Sequence, residues 1–212
     1  PALPHGQSRT ERQRRLLNCN LHTKQTNGKD GTLRLDTDKK LKIAMLGHKR
    51  IPSCEGGVEV VVEELSVRMS ELGHSVTCYN RKGHHVAGRE FDAKHMSEFK
   101  GVKLKDVITI DKKGLAAMTA SLFASIAAAF GKYDVVHIHA EGPAFMCGLP
   151  KLFGKKVIVT VHGLDHMRAK WGKFASRYIL WGEKNAVRYA DEIIVLSQGV
   201  KDYFLSTYNR ET

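Results

Sequence analysis

From residue 41 onward, short apolar segments alternate with longer helical patterns. Most of the short segments are β-branched and several are apolar almost throughout, which is typical of strands covered on both faces. Strands that alternate with helices predict an α/β fold with a doubly wound parallel sheet, whose ligands bind beyond the carboxyl ends of the strands. The predicted strands are Leu41–Gly47, Ser75–Asn80, Val102–Ile110, Asp134–Ala140, Lys156–His162 and Glu192–Ser197, and the predicted helices are Val58–Leu72, Gly114–Phe130, Pro143–Phe153, Trp171–Ala190 and Gly199–Tyr208.

The first 40 residues differ from the rest of the chain. They are polar, carry nine Lys/Arg against four Asp/Glu, and show no sustained apolar period. Such a composition cannot bury enough apolar surface to order itself, so we expect residues 1–40 to form a disordered extension. Residues 41–212 suffice for one sizeable core and are short for two full domains.

The net charge of +12 indicates an anionic partner. A nucleic acid is not expected, because no helix-turn-helix, zinc finger or aromatic RNA-binding motif is visible. The sequence contains no run of 18 apolar residues and no apolar signal core, which predicts a cytoplasmic protein. Its four cysteines are scattered without a CxxC pair, so we expect reduced thiols rather than disulfides or a thiolate zinc site.

A polar loop, HKRIPSCEGG, separates the first predicted strand from the first predicted helix. Paired glycines before a helix let the backbone approach a ligand and present N–H groups at the positive end of the helix dipole, which suits phosphate. The loop is neither a dinucleotide fingerprint nor a Walker loop, because the second strand ends in Asn80 rather than an acid and no GK[ST] follows the glycines. The alternative is that Gly56 and Gly57 only shape a surface turn.

Five motifs occur in a fixed order: PSCEGGVE, ELGHSVTCY, DVVHIHAEGP, VIVTVHGLD and YADEIIVLSQ. Together they resemble the N-terminal half of the family 4 retaining glycosyltransferases of GT-B fold, from Leu41 to the end of the chain. The resemblance implies a Rossmann-like acceptor-binding domain, and we expect the family's C-terminal donor-binding domain, which carries the donor-binding E-x7-E motif, to be absent from this chain. It also implies transfer of a sugar, such as a hexose, from a nucleotide-sugar donor to a saccharide or lipid-linked acceptor, as in polysaccharide assembly, with no further cofactor. We expect the 212-residue chain alone to be inactive.

The resemblance also assigns roles to the donor side of the cleft. Gly56 and Gly57 match the glycine loop that lies against the donor diphosphate, whereas Glu59 and Glu63 are expected to act as helix-dipole partners. His162 matches a histidine that lines the cleft near the transferred sugar, and Asp165 is a candidate acceptor contact or base. The alternatives are that His162 only caps its strand and that Asp165 only begins the next turn.

Three further residues are candidate acceptor ligands. His139 lies at the carboxyl end of a predicted strand, Glu141 follows that strand, and Arg81 begins a cationic loop near the cleft. His137 and His139 share one strand face and, with His162, could in principle bind a metal. The family's chemistry implies no protein-bound metal, and neither Cys nor paired carboxylates complete the set, so no metal is expected.

The segment Met167–Arg188 interleaves basic and aromatic residues. It is typical either of a helix whose charged face is solvated and whose aromatics lie in the core, or of a helix that contacts an anionic membrane surface. Lipid-linked acceptors in the family favour the second reading, which would make the protein peripheral at the inner face of the membrane. The competing functional class is a non-catalytic α/β domain that binds an anionic ligand or a membrane surface.

Overall fold

A computed structural model describes residues 39–53, 56–82, 96–110, 112, 115–167 and 172–212. The expected disorder of the N-terminal extension therefore falls almost wholly outside the described residues. The strands are β1 (Lys42–Leu46), β2 (Ser75–Arg81), β3 (Glu98–Phe99), β4 (Val102–Val107), β5 (Val135–His139), β6 (Lys156–Val161) and β7 (Glu192–Val195). The helices are α1 (Gly57–Glu71), α2 (Leu115–Phe130), α3 (Glu141–Ala144), α4 (Gly148–Leu152), α5 (Lys173–Tyr189) and α6 (Gln198–Tyr208), with a 3-10 turn at Asp165–Met167.

The seven strands form one sheet in the order β3-β4-β2-β1-β5-β6-β7. All pairs are parallel except β3 with β4. The chain builds outward from β1 through β2 to β4 and then returns to β5 on the other side of β1, so the sheet has its topological switch point between β1 and β5. This arrangement confirms the predicted doubly wound, Rossmann-like sheet and places the ligand crevice at the carboxyl ends of those two strands.

Strand β1 shows how both faces of the sheet are covered. Ile43 and Met45 pack into the core beneath α1, whereas Ala44 and Leu46 pack into the core beneath α2. Successive side chains of a strand point to opposite faces, so a strand between two helical layers must be apolar at every position. Burying a side chain of the size of Met45 or Leu46 stabilises the fold by about 1.5–3 kcal/mol.

Two parts of the fold differ from the sequence prediction. The single helix expected at Pro143–Phe153 is instead the pair α3 and α4, because Pro150 has no N–H to donate to the carbonyl four residues earlier. The two-residue edge strand β3 was not predicted, since so short a segment carries no periodic pattern. None of the helices in the described part of the chain combines the length and the apolarity needed to cross a bilayer.

Helix α5 lies unusually close to α3 at Gly182. A Cβ atom on Gly182 would stand 1.9 Å from the carbonyl oxygen of Glu141 and 3.1 Å from the backbone nitrogen of Phe145. Only glycine allows this approach of backbone to backbone. As a consequence, the buried side chain of the next residue, Glu183, is brought into the region of Glu141.

Candidate functional site

The glycine loop begins at the switch point of the sheet. Gly47 follows β1 with a φ of +103°, and a Cβ atom there would stand 2.2 Å from the carbonyl oxygen of His139 at the end of β5. Both the positive φ and the missing side chain are required for the chain to cross His139 so closely. The loop that leads to α1 therefore starts directly over the end of β5.

Asn80, at the end of β2, holds this loop in place. Its side-chain nitrogen donates to the carbonyl of Ile51 at 3.0 Å, and its Oδ1 accepts from the Ile51 N–H at 3.2 Å. The same oxygen lies 3.1 Å from Nε2 of His48. His48 is buried, and this burial lowers its pKa to about 4. In a dinucleotide-binding fold an acid near this position binds the ribose. In this chain the corresponding side chain, that of Asn80, is buried, and its hydrogen bonds are made to the glycine loop.

Two glutamates of α1 hold the same loop from its other side. Glu59 Oε1 accepts from the backbone N–H of Lys49 at 3.0 Å, and Glu63 Oε2 accepts from the N–H of Ser53 at 3.1 Å. A Cβ atom on Gly56 would stand 2.5 Å from Glu59 Oε2, so glycine makes room for this carboxylate. Beyond the helix-dipole role expected from the sequence, both glutamates thus bind backbone N–H groups of the loop.

Within the described part of the chain, the N-terminus of α1 carries no side-chain cap, and Gly56 is its N-cap residue. Gly57 is exposed, and a Cβ atom on it would meet nothing within 4 Å. First-turn N–H groups have no partner inside their own helix and carry the positive end of its dipole, which is the arrangement that binds phosphate. Residues Cys54 and Glu55 of the predicted loop lie outside the described part of the chain.

Three histidines lie side by side at the ends of β5 and β6. The ring centroids of His137 and His139 are 4.3 Å apart, and those of His139 and His162 are 5.4 Å apart. His137 Nε2 lies 2.7 Å from Thr160 Oγ1, which satisfies that buried ring. Burial lowers the pKa of His137 to about 3 and lowers the pKa of His139 well below its ordinary value, with the neighbouring histidines adding to both shifts. Both rings are therefore neutral at pH 7.

His162 occupies the position between this buried pair and solvent. Its Nε2 lies 3.2 Å from His139 Nδ1, while its own Nδ1 makes no hydrogen bond among the described residues. Burial lowers the pKa of His162, although the carboxylates of Asp165 and Glu59 oppose the shift. A half-buried, neutral imidazole of this kind can accept or donate one hydrogen bond to a bound hydroxyl group.

Asp165 and Glu141 meet beside His162. Asp165 opens the 3-10 turn, as one reading of the sequence predicted, and its backbone N–H donates to Glu141 Oε2 at 2.7 Å. Burial, followed by the neighbouring carboxyl of Glu183, raises the pKa of Glu141 to about 9. Glu141 is only 1% exposed and His139 is fully buried. The structure therefore places Glu141 and His139 beneath the site. An acceptor would reach them only if the residues that cover them moved, so their direct contact with an acceptor stays a prediction.

Arg81 lies beside the glycine loop. Its backbone N–H donates to the carbonyl of Lys49 at 2.7 Å, and its own carbonyl accepts from the guanidinium of Arg50 at 3.3 Å. Burial lowers the pKa of the Arg81 guanidinium and the nearby Glu59 carboxylate opposes that shift. Its predicted contact with an acceptor stays a prediction, since the observed contacts are with the loop on the donor side.

Sequence reasoning placed Asn80 near this region without assigning it a partner, and it did not identify His166 or Glu183. Asn80 carried a signal, because a buried amide at the end of a central strand must find partners nearby. Glu183 also carried a signal in the sequence. It is a lone acid on the apolar side of a predicted helix, and such an acid is buried only when other polar groups pair with it. What the sequence cannot supply is the fold-dependent proximity of residues from separate segments.

The comparisons with known proteins agree with this architecture. The family model for Glycosyltransferase Family 4 matches residues 55–211. The solved structure of sucrose-phosphate synthase from Thermosynechococcus elongatus superimposes with a TM-score of 0.52 at 17% sequence identity, covering 80% of this chain and 45% of that one. This chain therefore spans less than half the length of that relative. No curated protein matches the chain at a significant level. The chain belongs to glycosyltransferase family 4, and its fold is that of one Rossmann-like half of a GT-B enzyme.

Proposed function

We propose that this chain is the acceptor-side domain of a retaining glycosyltransferase. In this proposal the enzyme moves a hexosyl group from a nucleotide-sugar donor to a saccharide or lipid-linked acceptor during polysaccharide or glycolipid assembly. The observation that carries the proposal is the position of the α1 N-terminus at the switch point of the sheet, where the glycine loop crosses His139 beside His162. The reaction requires no cofactor beyond the nucleotide sugar as co-substrate.

The first part of the proposal concerns the donor diphosphate. The N–H groups that follow Gly56 and Gly57 would bind its oxygens and stabilise the charge that develops on the leaving group. The described part of the loop, up to Ser53, is already fixed by Asn80, Glu59 and Glu63, so this part needs little ordering when the ligand binds. Fixed dipoles of this kind are more effective than water because they do not reorganise during the reaction.

The second part concerns the transferred sugar. His162 would bind a hydroxyl group of the sugar or the acceptor through Nδ1, and His139 would hold the ring from below. Asp165 lies close enough to His162 for its charge to counter the lowering of the His162 pKa by burial. It would therefore act as a second polar contact, or as a base, beside His162. The glycine loop and these two residues would therefore form one wall of the cleft.

The test uses the purified 212-residue chain. Because the proposed fragment lacks the base and ribose contacts of a second domain, we expect millimolar, base-independent binding of nucleoside diphosphates and nucleotide sugars, with amide NMR shifts centred on Gly56, Gly57 and Val58. We expect no sugar transfer from this chain alone, since catalysis needs both substrates in one closed cleft. Tight, base-selective binding or turnover by the fragment would contradict the assignment to the acceptor side.

A membrane-binding function is supported by a separate observation. Residues on the exposed side of α5 alternate aromatic and basic side chains at helical spacing, with Phe174 77% and Trp181 57% exposed. We call this face the basic-aromatic stripe, and it consists of Phe174, Arg177, Trp181, Lys184 and Arg188. The solvated-face reading placed the aromatics in the core, whereas these two are at the surface. The pattern suits a helix lying at an anionic membrane surface, which would place the protein in the cytoplasm at the inner face of the membrane.

Sedimentation with vesicles tests this part independently of sugar transfer. We expect the chain to bind vesicles rich in phosphatidylglycerol and to dissociate as salt rises, because each Lys or Arg near the surface contributes about 1 kcal/mol. The double variant F174A/W181A should bind less, and Lys103→Glu at an exposed position of β4 serves as the charge control. If the wild-type chain does not bind at low ionic strength, the stripe is a solvated face. If it binds vesicles but no nucleotide sugar by any measure, the non-catalytic alternative is favoured.

A further inference from the structure

Three side chains from separate segments converge beneath the turn that carries Asp165. They are Glu141 on α3, His166 in the 3-10 turn and Glu183 on α5. His166 Nδ1 lies 3.1 Å from Glu183 Oε2 and 3.7 Å from Glu141 Oε1, and one ligand atom from each residue falls within 4.8 Å of the others. Glu183 is fully buried and Glu141 is 1% exposed. We call these three residues the Glu-His-Glu cluster.

The converging atoms have no hydrogen-bond partner among the described residues. Glu141 Oε1, Glu183 Oε2 and His166 Nδ1 are all buried, and within the described part of the chain they make no hydrogen bond although they lie close to one another. Buried polar atoms are normally satisfied, and an unsatisfied group costs about 1–3 kcal/mol or more if it is charged. Three such atoms at one point indicate that a further species belongs between them.

The second oxygen of each carboxylate is held by the protein. Glu141 Oε2 accepts from the Asp165 N–H at 2.7 Å. Glu183 Oε1 accepts from the hydroxyl of Tyr203 at 2.9 Å and also from the hydroxyl of Tyr208. These donors fix the orientation of both carboxylates and turn their unpartnered oxygens toward His166. Outer hydrogen bonds of this kind are typical of residues that ligate a metal.

We propose that the Glu-His-Glu cluster binds a divalent cation of the zinc type. Carboxylate oxygens combined with an imidazole nitrogen suit Zn²⁺ or Mn²⁺ better than Mg²⁺ or Ca²⁺, which take oxygen ligands. Ligands about 2.1 Å from a tetrahedral ion stand about 3.4 Å from each other. The observed separations of 3.1 and 3.7 Å bracket that value. A dication would displace the proton that Glu141 retains and would offset the charge of both buried glutamates.

The alternative occupant is a proton shared among the same groups. One proton on Glu141 would supply a bond to Glu183, and a neutral His166 with its proton on Nδ1 would donate to the same carboxylate, so a proton is a real competitor. The geometry favours a cation, because His166 Nδ1 and Glu183 Oε2 lie 3.1 Å apart without making a hydrogen bond. The site would be structural, because its ligands are buried and join α3, the Asp165 turn and α5. It is independent of the proposed donor chemistry, for which no protein-bound metal is invoked.

The experiment is a zinc titration of the purified chain after dialysis against EDTA. We expect calorimetry to detect one site and unfolding scans to show a higher Tm with Zn²⁺, because a ligand that binds only the folded state stabilises it. His166→Ala and Glu183→Gln each remove a proposed ligand and should weaken this site by more than ~10-fold, since the loss of an outer hydrogen-bond partner alone costs about 10–100-fold. Tyr208→Phe keeps all three ligands and should weaken it less. Glu192→Gln, an exposed acid on β7, is the matched control and should bind as the wild type does.

Two results would overturn the proposal. The first is zinc binding and a Tm response that are the same in the wild type, in His166→Ala and in Glu183→Gln, because the ion would then bind elsewhere, for instance at histidines of other segments. The second is a wild-type Tm that does not respond to Zn²⁺ or Mn²⁺, in which case the cluster shares a proton. This second readout needs only the wild-type chain and stands even if a variant fails to fold.

Discussion

His139 Nδ1 lies 3.2 Å from His162 Nε2, so a fully buried imidazole fixes the ring of the histidine nearest the proposed cleft. Both rings are neutral at pH 7, because burial lowers the pKa of each. In a bond between two neutral imidazoles one nitrogen donates its proton and the other accepts it. The tautomer of His139 therefore determines whether Nδ1 of His162 presents a proton or a lone pair to a ligand.

His162→Ala should reduce sugar transfer by at least ~10²-fold in the enzyme that contains this domain, the scale of losing a positioned acid or base. The free energy of unfolding should change by no more than about 1–2 kcal/mol, because the side chain is only half-buried. Transfer rates and urea unfolding of the same preparation check both parts. His139→Asn, which retains a polar side chain below His162, should transfer faster than His162→Ala. Normal transfer by His162→Ala would show that this histidine is only a strand cap.

In the enzyme that contains this domain, Gly57→Val should leave the fold intact and lower the rate of sugar transfer by at least ~10²-fold, the scale of losing one preorganised donor. A Cβ atom at Gly57 meets nothing within 4 Å, so the branched side chain has room but covers the helix N-terminus. The matched control is Gly172→Val at the N-cap of α5, where a Cβ atom also meets nothing. Circular dichroism and transfer rates are the measurements. If Gly57→Val and Gly172→Val transfer sugar at equal rates, the α1 N-terminus does not bind the donor diphosphate.

Acidification below pH 6.5 should destabilise the domain through His48 and His137. Their pKa values are about 4 and about 3 in the folded chain, against 6.5 for an unperturbed histidine. Between those limits the unfolded chain binds protons that the folded chain does not, so the free energy of unfolding falls as the pH falls. Each histidine contributes a slope of up to about 1.4 kcal/mol per pH unit. Urea unfolding at pH 7, 6 and 5 measures the slope. His137→Gln should make it shallower, and an unchanged slope would contradict the prediction.

Ala140→Gly should stabilise the domain by about 1 kcal/mol. Ala140 has a φ of 74° and a ψ of 154°, a conformation that costs a residue with a Cβ atom about 1–3 kcal/mol. Glycine relieves this strain and adds about 0.5–1 kcal/mol of conformational entropy cost, so the relief outweighs the cost. Thermal unfolding of the variant gives the sign. Ala144→Gly in the neighbouring helix α3 should be destabilising, because Ala144 is buried and helical. A lower Tm for Ala140→Gly would mean that the backbone there is not strained.

The sheet was predictable because its signal is local. Each central strand is buried on both faces and is therefore apolar at nearly every position, as in KIAML of β1. The carboxyl ends of the strands follow from that pattern, which is why the sequence alone suffices to place Gly57, His162 and Asp165 near one edge of the sheet.

The surface of the site was not predictable in the same way. His139 follows the rule for a residue at the carboxyl end of a strand, and it is nevertheless buried because the chain crosses it at Gly47. The partners of Asn80 depend on a loop 29 residues away in sequence. Such contacts arise from the tertiary fold, and they cannot be predicted from the hydrophobic periodicity or from the spacing of residues in the sequence.

The contact between Gly182 and the Glu141 carbonyl has a consequence for how this domain can evolve. A side chain at position 182 would push α5 away from α3 and would separate Glu183 from Glu141. The same displacement would shift the outward side of α5, since a helix moves as one body. Substitutions at this single position should therefore be selected against on two grounds at once. In related sequences that keep both glutamates, we expect residue 182 to vary less than the exposed positions of α5 on either side of it.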